Sequence, residues 1–142
     1  MSTLAHAPSP ASRTAFRWNA SAWFGTQVGS TLWMLPLALL LFPRDAAVAG
    51  AVLAGFLLLN GWGLVLWRAR EHRTAHAGFQ LFLAAAAVSF ALVVFLVNAR
   101  GLSTAPNGGE LTSTWVPWWV LAVAPAMMLV FYARERAARR AS

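Results

Sequence analysis

Four long stretches without a charged side chain constrain this chain more than any other feature: about residues 18–42, 46–67, 75–97 and 115–132. Each approaches the roughly 20 residues that a helix needs to cross a hydrocarbon core about 30 Å thick. Lipid offers no water to unpaired backbone groups, so a single span of this kind must bond its own N–H and C=O groups as a helix. The residue-by-residue alternation expected of membrane barrel strands is absent. The expected fold class is therefore all-α, an integral membrane four-helix transmembrane bundle.

Composition points the same way. Of 142 residues, 59% are hydrophobic and only 11% are charged, with a mean hydropathy of +0.60. Soluble domains carry about 25% charged residues, and a small one needs them to cover its large surface. The net charge is +7, from eleven arginines, no lysine and four acids. In a soluble protein such a balance would suggest nucleic acid. Here the arginines sit beside the apolar spans, where they orient a membrane protein and meet anionic headgroups. The expected partners are the bilayer itself and either another copy or another membrane protein, and no nucleic acid. An all-arginine basic set fits a GC-rich genome, which makes a bacterial inner membrane the expected location.

The organisation follows from these blocks. Residues 1–17 are polar, with Pro8 and Pro10, and read as a disordered tail. Residues 18–134 hold the four spans, and 135–142 read as a basic tail. Ala47-Val48-Ala49 has the form of a signal-peptidase site, but the preceding span is too long and Arg44-Asp45 lies just before it. The N-terminal tail, the 68–73 loop and the C-terminal tail hold nine arginines, and the other two loops hold only Arg44 and Arg100. That asymmetry predicts both termini in the cytoplasm. Trp18, Trp23, Trp67, Trp115, Trp118, Trp119 and Tyr132 fall near span ends, where aromatic rings favour the headgroup level. The third connection, about 101–114, reads as a polar, turn-rich loop.

At about 100° per residue, Asn19, Trp23, Thr26, Gln27, Ser30 and Thr31 share one face of the first span. Ser21, Gly25 and Gly29 share the nearly opposite face with Trp33, forming a ridge of small residues that lets another helix approach closely. The second span carries a similar ridge of Ala47, Gly50, Ala51, Ala54 and Gly61. Asn60 lies off that ridge, and a buried amide needs a partner, for which Gln27 and Gln80 are candidates. The run Asn60–Gly63 suggests a bend. In the third span His76, Gln80, Ala84, Ala87, Ala91, Val94 and Asn98 form one stripe, read as a helix–helix seam or as a narrow lumen with polar mouths. Pro125 should interrupt the bonding of the fourth span.

The sequence excludes much chemistry. There is no cysteine, so disulfides, thiol redox and thiolate metal sites are ruled out. No Asp, Glu, Lys or Arg lies inside a span, whereas ion-coupled pumps and proton relays depend on such groups. His72 and His76 would be four apart on a continued helix, but two ligands fall short of a usual metal site. No nucleophile–base pair or phosphate-binding loop appears, so no enzyme, cofactor or metal is expected. Two readings stand. The first is an accessory, assembly or structural subunit of a membrane complex, acting through close helix packing at Ser21, Gly25, Gly29, Gly50, Ala54, Ala84, Ala87 and Ala91. The second is a homo-oligomeric channel or carrier, with Thr26, Gln27, Ser30, Thr31, Asn60 and Gln80 lining the path.

Overall fold

The computed structural model describes residues 16–102 and 116–140. The expectations for 1–15, the 103–115 stretch and 141–142 lie outside them, as do the side chains of 116–119. Every regular element among the described residues is helical: α1 (Ala20–Thr31), α2 (Met34–Leu41), α3 (Ala46–Arg68), a short 3₁₀ turn (Ala69–His72), α4 (Ala75–Ala99) and α5 (Val116–Arg140). Three helical stretches are long and apolar enough to cross a membrane: Ala20–Leu41, Ala46–His72 and Ala75–Ala99. The fourth expected span, α5, is not among them. It does not stop near Tyr132 but stays helical to Arg140, and its last seven residues carry five charges.

The first span is not one helix. Pro36 has no N–H to offer the Leu32 carbonyl, so α-bonding lapses at Leu32–Trp33. Leu35 N–H instead donates to Leu32 O at 3.1 Å, a tighter turn. Ser30 and Thr31 turn their hydroxyls back onto the Gln27 carbonyl just before the break. Both break residues keep right-handed helical dihedrals, so the chain continues in the same sense.

The starts of α1, α3 and α4 are set by capping side chains. Asn19 Oδ1 accepts from Ala22 N–H at 3.2 Å, and Thr74 Oγ1 accepts from Ala77 N–H at 3.3 Å. Asp45 Oδ1 accepts from Ala47 and Val48 N–H, both at 3.0 Å. At the end of α4, Gly101 adopts φ +62 while its N–H reaches Asn98 O and the N–H of Leu102 reaches Val97 O. That is a Schellman closure, which needs a left-handed residue where Gly101 stands.

Asp45 also ties two elements together, because Arg100 Nη1 donates to its Oδ2 at 2.9 Å. The Val48 N–H holds the Asp45 carboxyl below its ordinary value of 3.8, and Arg100 and the Ala47 N–H act in the same direction against a contribution from burial. A depressed folded-state pKa gives stability that is complete above the ordinary value and is lost as pH falls through the folded value. The thermal midpoint is therefore expected to fall on acidification below about pH 4. Asp45→Asn, which keeps a capping oxygen but cannot ionise, is expected to flatten that slope; an unchanged acid limb would assign it to another group.

The interior is apolar, and so is much of the outer surface, unlike that of a soluble protein. Leu39, Leu58, Leu129 and Phe95 are each at least 67% exposed, whereas Gln27, Thr31 and Glu135 are buried. One buried cluster joins α2, α3 and α4 around Met34, Val52, Ala86 and Phe90. The second is aromatic and lies where the start of α1, the end of α3 and the start of α4 meet: Trp23, Leu66, Phe79 and Phe82, flanked by Phe16, Trp18 and Phe131. Trp23, expected at headgroup level, is 1% exposed, because Trp18, Trp67, Phe79 and Phe82 all pack against its ring. Trp18 Nε1 donates to Arg73 O, and Phe16 packs on Phe131. The first helix, the 68–73 turn and the basic part of α5 therefore share one end of the molecule, and the Asp45–Arg100 pair marks the other.

Candidate functional site

Two features stand out: a neutral polar network inside the helices and a set of small-residue faces outside them. The network forms where α1 meets α3. Gln27 Nε2 donates to Asn60 O at 2.9 Å and to Asn60 Oδ1 at 3.2 Å. Asn60 Nδ2 in turn donates to Thr31 Oγ1 at 3.1 Å and to Phe56 O at 2.8 Å. Gln27 and Thr31 are one turn apart on α1, so a single side chain of α3 reaches both. Of the two candidates for Asn60, Gln27 is the partner. Gln80 instead donates to the Met128 carbonyl of α5 at 3.0 Å.

Gly63 makes the network possible. A Cβ there would lie 2.9 Å or less from Gln27 Cδ, Oε1 and Nε2. The run Asn60–Gly63 lies within unbroken α-helix, and Gly63 serves as the flat bed on which the Gln27 amide rests. Gly78 does the same for the Trp18 ring. Two buried groups, Trp23 Nε1 and Gln27 Oε1, have no hydrogen-bond partner among the described residues. The rest of the polar face is less enclosed: Thr26 and Ser30 are half-buried.

The small residues point the other way. Ser21, Gly25 and Gly29 are exposed on α1, and so are Ala47, Gly50, Ala51, Ala54 and Gly61 on α3. A Cβ added at Gly25, Gly29, Gly50 or Gly61 would meet nothing within 4 Å among the described residues. Between α3 and α4 runs an open apolar groove of about 740 Å³. Its small-residue floor is Ala51, Ala54, Gly55, Ala84 and Ala85, its walls include Leu58, Trp62, Val88 and Leu92, and Ser89 supplies a hydroxyl.

The expected stripe on α4 divides. Gln80 faces α5, Ala84 lines the groove, Ala87 is half-buried, and Ala91 and Asn98 are exposed. Asn98 bonds within its own helix, to Val94 O. His72 and His76 do not share a continuous helix, since Arg73 is extended and Thr74 caps a new one. Among the described residues no three His, Cys, Asp or Glu side chains cluster as metal ligands. Pro36, Gly63 and the inward Trp23 are the structural positions that sequence reasoning missed. Proline inside an apolar span was the available signal for the first, and no local signal distinguishes Gly63 from Gly61.

No protein-family model, no curated protein and no solved structure matches this chain.

Proposed function

We propose that this chain is an accessory or assembly subunit of a membrane complex, and that the α3–α4 groove receives an apolar helix of a different membrane protein. The groove carries the reading: a channel of about 740 Å³, floored by alanine and glycine and walled by larger apolar side chains, admits a helix at close range. The outward glycines support it. Glycine costs a helix about 0.8–1.0 kcal/mol relative to alanine, and at Gly25, Gly29, Gly50 and Gly61 nothing among the described residues requires the absence of a Cβ. Close approach of a partner would offset that cost.

In this reading α5 is the fourth crossing, antiparallel to α4, with Gln80 bonded to Met128 O near one end. The arginine-rich end, with both terminal segments, faces the cytoplasm, as the nine-to-two distribution favours. The channel reading draws less support. Gln27 and Thr31 are turned inward and bonded to Asn60, so copies arranged in a ring would not present them to a shared path.

Native mass spectrometry of the tagged protein, taken from its own membrane in nanodiscs, tests the proposal. Stoichiometric co-purification of a different membrane protein is expected. A closed ring of this chain alone would overturn the reading in favour of a pore or carrier, and a lone monomer would overturn both.

A further inference from the structure

At the arginine-rich end a separate cavity of about 300 Å³ is lined by His76 of α4 and by Tyr132, Glu135, Arg136 and Arg139 of α5. The four α5 residues recur at intervals of three, one and three, so all lie on one helical face. His76 is the second residue of α4, in a first turn that holds no acidic side chain. The N–H groups of that turn give the neighbourhood a positive helix end. Glu135 is 3% exposed and accepts from Arg139 Nε at 3.1 Å, so the buried carboxylate fixes one guanidinium at the rim. The lining thus carries two guanidinium groups against one carboxylate, with a phenol and an imidazole beside them.

We infer that this cavity binds a phosphate group, through Arg136 and Arg139 with Tyr132 and His76 as further donors. Guanidinium groups match phosphate oxygens in a planar, forked geometry. The position favours a phosphate at the membrane surface. His76 lies at the end of an apolar span, and α5 passes from Phe131 to Arg134 at the same level. The source is either an anionic lipid headgroup or free phosphate. This site lies apart from the α3–α4 groove and does not depend on the docking proposal.

The test uses the full chain in nanodiscs of phosphatidylcholine containing a minority of phosphatidylglycerol, with native mass spectrometry counting the retained lipid. Enrichment of the anionic lipid is expected, and Arg136→Gln should reduce it about tenfold, the scale of one charge-assisted contact. Arg136 is exposed, so this variant should fold even if Arg139→Gln, which removes one partner of the buried Glu135, does not. Arg68→Gln with Arg73→Gln removes more charge at the same end and should leave retention within about twofold, since diffuse attraction is spread over many arginines. Displacement of the lipid by millimolar inorganic phosphate would support the site and assign it to a soluble ligand. Equal loss in the Arg68/Arg73 variant would overturn the site in favour of diffuse surface charge. Absence of both lipid enrichment and phosphate binding would overturn it altogether.

Discussion

Gly63→Ala is expected to destabilise the protein by about 1–3 kcal/mol, the cost of leaving buried polar groups unpaired. The new Cβ would sit 2.9 Å or less from the terminal atoms of Gln27. Gln27 has a flexible side chain and can rotate away, so the collision itself is cheap. Rotation, however, draws Nε2 off both Asn60 oxygens and leaves an amide without partners in a space where Gln27 is only 4% exposed. The control is built into the chain. In a Gln27→Ala background the obstruction is gone, and Gly63→Ala should be neutral or stabilising by up to about 1 kcal/mol through helix propensity. A double-mutant cycle on unfolding in detergent measures the difference. Additive effects would mean that Gln27 does not rest on Gly63, and the account of the α1–α3 contact would be lost. Gly25→Ala and Gly29→Ala, with open space at both positions, should leave the unfolding of the isolated chain within about 0.5 kcal/mol, or raise it slightly.

Filling the groove is expected to abolish assembly while sparing the fold. Ala51 and Ala54 are exposed in the isolated chain and line the groove. Leucine at both would raise the floor by several methylene groups and hold an incoming helix away from α3. Packing between membrane helices depends on close backbone approach, because lipid tails are as apolar as leucine. Recovery of the co-purifying partner should therefore fall at least about tenfold, a loss of only 1.4 kcal/mol in association, with an unchanged unfolding midpoint. Gly25→Leu with Gly29→Leu tests the α1 face in the same assay. Full recovery with the Ala51→Leu and Ala54→Leu variant would remove the groove from the proposal. Loss only with the Gly25 and Gly29 variant would move the interface to α1.

The sequence alone determined the class of environment and the elements that span it. Long uncharged apolar runs admit only helices in lipid, and three of the four expected spans are helical stretches long and apolar enough to cross, the first of them interrupted at Leu32–Trp33. It also required a partner for Asn60, because a buried amide needs one, but it left Gln27 and Gln80 both open. Helical periodicity sorted small and polar residues of α1 onto opposite faces, but it could not say which face turned inward. Only tertiary packing decided that. The polar face of α1 meets Asn60 and the bed at Gly63, which lies far away in the chain, while Gly25 and Gly29 are left outside. Trp23 shows the same limit: its position near a span end is legible in the sequence, but the rings from three other segments that close over it are not. The anion cavity was equally invisible. Glu135 reads as one charge in a basic tail until α5 continues as a helix and buries it beside His76. Local bonding rules fix what each segment becomes, whereas the facing of those segments depends on contacts between residues remote in sequence.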